Sequence, residues 1–224
     1  MSDGKVAPKV ALEELPSSKK VYTELQKCIE RPLGSGSWES KGFPTPAWEN
    51  SFKALNPNKQ QESLWRLRHR RLYNNEAKCS HCLTTNPRAP QEHIFAECTF
   101  AKKVWQKAIP IIDKIAPPNR PPNDKHLILG VQGLDKRSTL ANTLISAIIH
   151  RIWMDQTDTF HTKIPSNETP QTIAKLLAIK DFQKAISTHF YIHLRNDSLE
   201  VFEEKILLSE ISSIRDRVLY FEPL

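Results

Sequence analysis

Three cysteines and one histidine lie close together in the middle of the 224-residue chain. Two residues separate Cys79 from Cys82, ten separate Cys82 from His93, and four separate His93 from Cys98. Two thiolates this close can bind one ion from a tight turn, and the second pair completes a tetrahedron from the start of the next helix. Zinc suits thiolate and imidazole ligands and brings no redox chemistry to reduced cysteines. The spacing therefore predicts a Zn²⁺ site formed by these four side chains.

The predicted site is structural and not catalytic, because four protein ligands leave no position for water. A structural zinc contributes about 10–16 kcal/mol of apparent binding free energy, as much as the stability of a typical domain. We therefore expect the region to unfold when the metal is removed. Two alternatives stay open: His81 replaces one of the ligands, or the thiols are free and the histidine is unrelated.

Helical periodicity flanks the cluster on both sides. A helix that begins near Lys59 places Leu64, Trp65, Leu67 and Leu72 on one broad apolar arc. A second helix, from about Thr99 to Ile112, has an apolar stripe of Phe100, Ala101, Val104, Trp105 and Ala108. Its Lys102, Lys103 and Gln106 are expected to face outward. The metal loop is thus predicted to lie between two helices.

Further helical patterns follow a stiff proline-rich spacer at residues 116–123. A long helix opens at Ser138 and carries the apolar residues Leu140, Leu144, Ile145, Ile148, Ile149, Ile152 and Trp153. The next pattern contains Ile173, Leu176, Leu177 and Phe182, and the last contains Leu199, Phe202, Ile206, Ile211, Ile214 and Val218. Alternation typical of a sheet is not apparent. The predicted fold class is all-α, mainly helical, with a small CCHC zinc-binding knuckle between two helices.

Proline and glycine divide the chain into three predicted parts. Residues 1–45, with a short helix over Val21 to Ile29, form an N-terminal arm or linker. Residues 46–116 form a helical zinc-binding domain, and residues 124–224 form a C-terminal helical region.

Charge and hydropathy limit the classes of partner. The formal net charge is +7 and the sequence pI is about 9.2, which favours a polyanion as partner because Lys and Arg that contact phosphates release counterions. Neither an apolar run of signal-peptide length near the start nor an uninterrupted apolar run of about 18 residues occurs. We therefore expect an intracellular, soluble protein with no membrane partner, nuclear or cytoplasmic.

Four sequence segments together resemble one known family. They are the basic helix Leu64-Trp65-Arg66-Leu67-Arg68-His69-Arg70-Arg71-Leu72-Tyr73, then Cys79-Ser-His-Cys82, Glu92-His93-Ile94-Phe95, and Cys98-Thr-Phe-Ala-Lys-Lys-Val-Trp105. This pattern resembles the reverse transcriptase zinc-binding domain that follows the polymerase in non-LTR (LINE-type) retrotransposons. The match covers about residues 60–108. Ile148-Ile149-His150-Arg151-Ile152-Trp153 is similar to a helix that often follows that domain, although such a stripe is also typical of an ordinary core helix.

The catalytic parts of that family are missing from this sequence. No Tyr/Phe-x-Asp-Asp polymerase motif occurs, and Asp124 and Asp135 do not fit the endonuclease pattern that some relatives carry. Asp155 and Asp158 share one helix face, but we expect an exposed acidic patch there. The resemblance thus implies a non-enzymatic, detached or domesticated piece of a retroelement.

The leading functional hypothesis is binding of RNA or DNA with low specificity. The cations expected to contact phosphates are Arg66, Arg68, Arg70, Arg71, Lys102 and Lys103. Arg68 and Arg71 project from within the apolar arc, so we expect their stems to pack and their charged ends to reach water, a carboxylate or a phosphate. A solvated helix face with no ligand is the simpler interpretation of these charges.

The alternative function is a zinc-stapled protein-interaction or scaffolding module with no nucleic-acid role. A partner would then bind the C-terminal helices, where Glu200 to Leu219 is predicted to form a helix with acidic and apolar residues.

Overall fold

A computed structural model describes residues 38, 46, 54–69, 79, 81, 91–117, 121, 123–133, 135–156 and 170–223. Contacts divide the chain into Met1–Leu33 and Gly34–Leu224, and every described residue belongs to the second unit. The predicted helix over Val21 to Ile29 lies outside the described residues. The predicted boundaries of the three parts of the chain stay predictions.

The described part of the chain is mainly helical, which confirms the predicted fold class. None of its helices is long and apolar enough to cross a membrane. The elements in chain order are α1 (Asn58–Arg68), a π-helical turn (His93–Glu97), α2 (Thr99–Ile115), a 3-10 helix (Asp124–Leu129), α3 (Lys136–Gln156), α4 (Pro170–Arg195), α5 (Leu199–Lys205), β1 (Ser212–Arg215) and β2 (Val218–Phe221).

Helix α3 is the centre of the packing. Helices α1, α2 and α4 all contact it, and α2 also contacts α4. Its predicted apolar residues are buried, apart from the half-buried Trp153, and join one continuous core with those of the other helices. The predicted stripe on α2 is confirmed: all five of its members are buried, whereas Lys102, Lys103 and Gln106 are exposed.

The segment that leads into α1 is fixed on α3 by polar contacts. The Leu55 amide donates to Thr143 Oγ1 at 3.0 Å, and Asn56 Nδ2 donates to the Thr143 carbonyl at 2.6 Å and to Ser146 Oγ at 2.8 Å. Because these groups are half-buried or buried, each bond satisfies a polar atom that is at least partly shielded from water. They set the position of α1, which leads toward the cysteine cluster.

The prediction of a helix through residues 199–218 is wrong beyond Lys205. Strands β1 and β2 pair antiparallel, and Arg215 lies opposite Val218. Between them Asp216 and Arg217 have φ values of 50° and 61°, the left-handed pair that a two-residue hairpin turn of type I′ requires. The apolar spacing of three and four residues mimics a helix here, but the turn reverses the chain. The predicted partner-binding helix over Glu200 to Leu219 is therefore not formed.

Helix α4 buries a different face from the one predicted. Leu176 is 47% exposed, although Phe182 is buried as expected. The buried stripe instead combines alanines with larger apolar residues, mostly at spacings of three and four: Ala174, Ala178, Phe182, Ala185, Ile186 and Phe190. A search for large apolar residues misses such a face, because alanine lets neighbouring helices approach closely without adding much apolar surface.

Candidate metal centre

A π-helical turn brings His93 and Cys98 to the same side of the chain. The Cys98 amide donates to the His93 carbonyl at 2.6 Å, a hydrogen bond between residues five apart. In an α-helix, side chains five residues apart point about 140° away from each other. The wider turn reduces this divergence. Cys98 then leaves the helical conformation, with φ −57° and ψ 141°, and is the N-cap of α2.

Cys79 completes a group of three ligand atoms that all lie within 4.8 Å of one another. Its Sγ is 3.5 Å from Cys98 Sγ, and the two cysteines are 1% and 0% exposed. Two thiolates on a tetrahedral zinc with bonds of about 2.3 Å lie roughly 3.8 Å apart, so the observed spacing is close to what that ion requires. The structure thus brings together three of the four predicted ligands. Cys82 lies outside the described residues.

The donor atoms fit a metal ion chemically. His93 Nε2 is buried and has no hydrogen-bond partner among the described residues. An unsatisfied buried nitrogen costs about 1–3 kcal/mol, a cost that coordination would remove. Cys98 lies at the positive end of the α2 dipole, which favours a thiolate there. A Cys-His-Cys group that can hold a metal ion is therefore present.

Aromatic residues fix the π-helical turn against its neighbours. Trp105 Nε1 on α2 donates to the Phe95 carbonyl at 2.7 Å. The Phe95 ring stacks on Trp153 of α3, with ring centroids 6.5 Å apart. Phe95 and Trp105 are both buried. His93 and Cys98 are consequently presented by a rigid, packed segment.

His81 does not join the ligand group. Its Nε2 instead contacts Asp155 Oδ2, and its ring stacks on Phe100, with centroids 4.1 Å apart and planes 4° from parallel. The predicted exposed acidic patch is wrong for Asp155, which is 1% exposed, and Asp158 lies outside the described residues. The sequence did carry a signal: Asp155 follows Ile148 and Ile152 at helical spacing, so it lies on the buried face of α3.

Three of the predicted phosphate contacts are exposed cations. Arg66, Lys102 and Lys103 all reach solvent, and Arg70 and Arg71 lie outside the described residues. Arg66 Nη2 forms an ion pair with Glu62 Oε1 one helical turn earlier, at 2.5 Å. Because both side chains are about half exposed, that pair contributes little to stability.

The prediction that Arg68 contacts phosphate is wrong for this structure. Arg68 is completely buried, and its Nη2 donates to Asn142 Oδ1 on α3 at 3.3 Å. Its carbonyl accepts a 2.8 Å bond from Trp38 Nε1. Burial lowers the pKa of the guanidinium to about 9. The reason lies in helical geometry, since residue 68 follows Leu64 by one turn and so shares its buried face.

Comparisons of this chain with protein-family models, with curated proteins and with solved structures found no match. The resemblance to the reverse transcriptase zinc-binding domain therefore stays a prediction that depends on the motif residues alone.

Proposed function

We propose that Cys79, Cys82, His93 and Cys98 bind one structural Zn²⁺, and that the chain binds RNA or DNA without catalysing a reaction. The convergence of Cys79, His93 and Cys98 in one group supports the metal most directly. The motif resemblance supports the further proposal that the chain derives from the non-catalytic tail of a retrotransposon reverse transcriptase.

The surroundings of the ligands support a structural role for the metal. Cys79 and Cys98 are buried, so no substrate has an open route to the metal through them. Cys98 is also the N-cap of α2. A metal bound here would therefore join Cys79 directly to the start of that helix.

The proposed binding surface consists of Arg66, Arg70, Arg71, Lys102 and Lys103. Arg68 is excluded because it is buried. The net charge of +7 favours approach of a polyanion, and lysine and arginine contacts to phosphate carry no sequence information by themselves. We expect steep salt dependence and weak sequence preference.

Affinity measurements on the full chain test this surface. Binding to a single-stranded RNA and to a DNA of the same sequence is measured at two salt concentrations for wild type, Arg66→Glu and the double variant Lys102→Glu/Lys103→Glu. The slope of log affinity against log salt is negative, and each lost phosphate contact should make it less steep by about 0.7–0.9. Lys180→Glu, at an exposed lysine on α4, is the matched control. Binding that falls equally in the control would remove these residues from the site.

A substitution of Glu62 should have the opposite effect on nucleic-acid affinity. Its carboxylate pairs with Arg66, so Glu62→Gln leaves that guanidinium available to a phosphate. We expect Glu62→Gln to tighten nucleic-acid binding, and to do so only while Arg66 is present. An unchanged affinity would indicate that Arg66 does not contact the ligand.

Metal analysis tests the zinc proposal separately. Purified wild-type protein should contain about one zinc per chain, as expected for a closed four-ligand site. Cys82→Ser should lose much of it, which would identify Cys82 as the fourth ligand. Full metal content in Cys82→Ser would exclude that residue.

A protein-interaction module is the second candidate, and exposed apolar residues favour it. They lie on α4, α5 and the hairpin: Leu176, Tyr191, Ile192, Val201, Val218 and Tyr220. Side chains of this kind are enriched where proteins bind each other. Size-exclusion chromatography with light scattering, before and after nuclease treatment, separates the candidates. A complex that nuclease dissolves supports nucleic-acid binding, whereas a complex that resists it supports a protein partner.

A further inference from the structure

Cys79 lies close in sequence to a residue that contacts the far end of α3. His81, two residues after Cys79, directs Nε2 at Oδ2 of Asp155, in the last turn of α3. The side chains are 17% and 2% exposed, so little water reaches the contact. Residues 79 and 155 are distant in sequence, and this contact brings their segments together.

A carboxylate in this position requires a specific partner. Burial of a charged group costs several kcal/mol unless hydrogen bonds or an opposite charge satisfy it. Asp155 lies on a helix whose neighbouring buried residues, such as Ile148 and Ile152, are apolar. Its contact with His81 is thus a specific, largely buried polar interaction and not a chance pair on the surface.

His81 contacts a second element at the same time. Its ring stacks flat on Phe100 of α2, which is 2% exposed and follows Cys98 by two residues. The imidazole is therefore held between α2 and α3, on the same side of the fold as the start of α2. These two contacts restrict where His81 can lie, and therefore how far Cys79, two residues earlier, can move.

We propose that Asp155 is a positioning residue of the metal centre, which through His81 holds Cys79 at the distance that His93 and Cys98 require. This inference rests on the proposed Zn²⁺ site. Ligands that are already in place lose less conformational entropy when the ion binds, so the contact raises metal affinity. Outer-shell partners of metal ligands typically change affinity by about 10–100-fold, and we expect the lower end because His81 is not itself a ligand.

Competition for Co²⁺ and Zn²⁺ against a coloured chelator, with the full chain, tests the proposal. We expect Asp155→Ala and His81→Ala each to weaken metal affinity by roughly tenfold, and the double variant to be no weaker than the worse single variant. Asp155→Asn keeps a polar oxygen beside His81 Nε2 and should retain most of the affinity. The visible spectrum of bound Co²⁺ should shift in the alanine variants, because it reports the geometry of the ligands.

Asp181→Ala is the control for general loss of stability. Asp181 also accepts half-buried hydrogen bonds, from Gln60 and Arg151, but lies on α4 outside the ligand group. Equal metal affinity and an equal Co²⁺ spectrum in Asp155→Ala and Asp181→Ala would overturn the positioning role alone. A wild-type chain that binds neither ion would overturn the zinc proposal itself. If Asp155→Ala does not fold, His81→Ala removes the same contact from the more exposed side and decides the question.

Discussion

Arg68 donates a hydrogen bond from Nη2 to Oδ1 of Asn142, inside the core where α1 meets α3. The same Asn142 oxygen accepts from the Val131 amide at 3.1 Å, and its Nδ2 donates to the carbonyls of Val131 and Ser138 at 2.8 Å. One amide side chain thus joins α1, the loop before α3 and the first turn of α3. A positive group takes part in this network even though burial lowers its pKa to about 9.

Arg68→Met should cost less stability than Arg68→Ala. Burial of the guanidinium already disfavours its charged form, and methionine fills much of the same space without that cost. Alanine leaves a cavity, for which about 2–5 kcal/mol is typical of large buried side chains. The free energy of unfolding in urea measures both. Equal losses would mean that the polar contacts of Arg68, and not its volume, stabilise the core.

Arg66 and Arg68 lie on the same helix but should affect nucleic-acid binding differently. Because Arg68 is buried and Arg66 exposed, Arg66→Met should weaken nucleic-acid binding and Arg68→Met should not. The affinity of each folded variant for the same oligonucleotide is the measurement. A loss of affinity in folded Arg68→Met would contradict the assignment of Arg68 to the core.

Gly130→Ala should destabilise the fold by more than the about 1–3 kcal/mol expected for a strained backbone position alone. Gly130 has φ 88°, and a Cβ there would lie 2.1 Å from Arg68 Nη2 and 2.4 Å from Asn142 Oδ1. Gly133→Ala is the control, since Gly133 also has a positive φ, 105°, but is exposed. Thermal unfolding should show the larger loss at Gly130. Equal losses would attribute the effect to backbone strain alone.

The sequence predicts those parts of the structure that depend on local spacing. The stripe on α2 follows from the period of the α-helix, and the outward Lys102 and Lys103 follow from the same period. Cys79, His93 and Cys98 were identified because few functions other than metal binding place cysteine and histidine so close together.

Two of the errors share a physical cause, which is that the partner of a buried charged side chain is distant in the sequence. The charged end of Arg68 was predicted to reach water, a carboxylate or a phosphate, but it lies in the core, where Asn142 accepts its hydrogen bond and the glycine at 130 leaves room for it. Asp155 was predicted to be exposed, and its partner His81 is 74 residues earlier. The hairpin was missed because Asp216 and Arg217, without glycine, are weak indicators of a turn with two positive φ values.

Removal of the metal should unfold the region around Cys79, His93 and Cys98. A strong chelator, or Cys98→Ser, removes a contribution comparable with the stability of a whole domain, about 5–15 kcal/mol. Hydrogen exchange should then rise first in residues 91–98 and at the start of α2, and tryptophan fluorescence should report exposure of Trp105. Wild-type protein that keeps its exchange protection after chelation would show that no structural metal is present.

Acidification should destabilise the fold through two half-buried histidines. Burial is the main cause that lowers the pKa of His150, with added repulsion from Arg151, and burial also lowers the pKa of His189. Each folded-state pKa is below the ordinary value of 6.5, so the unfolded chain binds more protons in this range. The stabilising contribution of the two neutral histidines is complete above pH 6.5 and is lost as the pH falls through their folded-state pKa values.

Urea unfolding at about pH 7.5 and about pH 5.5 measures this loss, within the range where histidine titrates. Asp135 and Glu210, whose pKa values are lowered from 3.8 and 4.5, lose their contributions only in more acidic solution. Protonation of metal ligands also lowers stability, so wild type is compared with His150→Gln/His189→Gln at equal metal content. The double variant should lose less stability than wild type between the two pH values. An identical loss would assign the acid sensitivity to other groups, the metal ligands first among them.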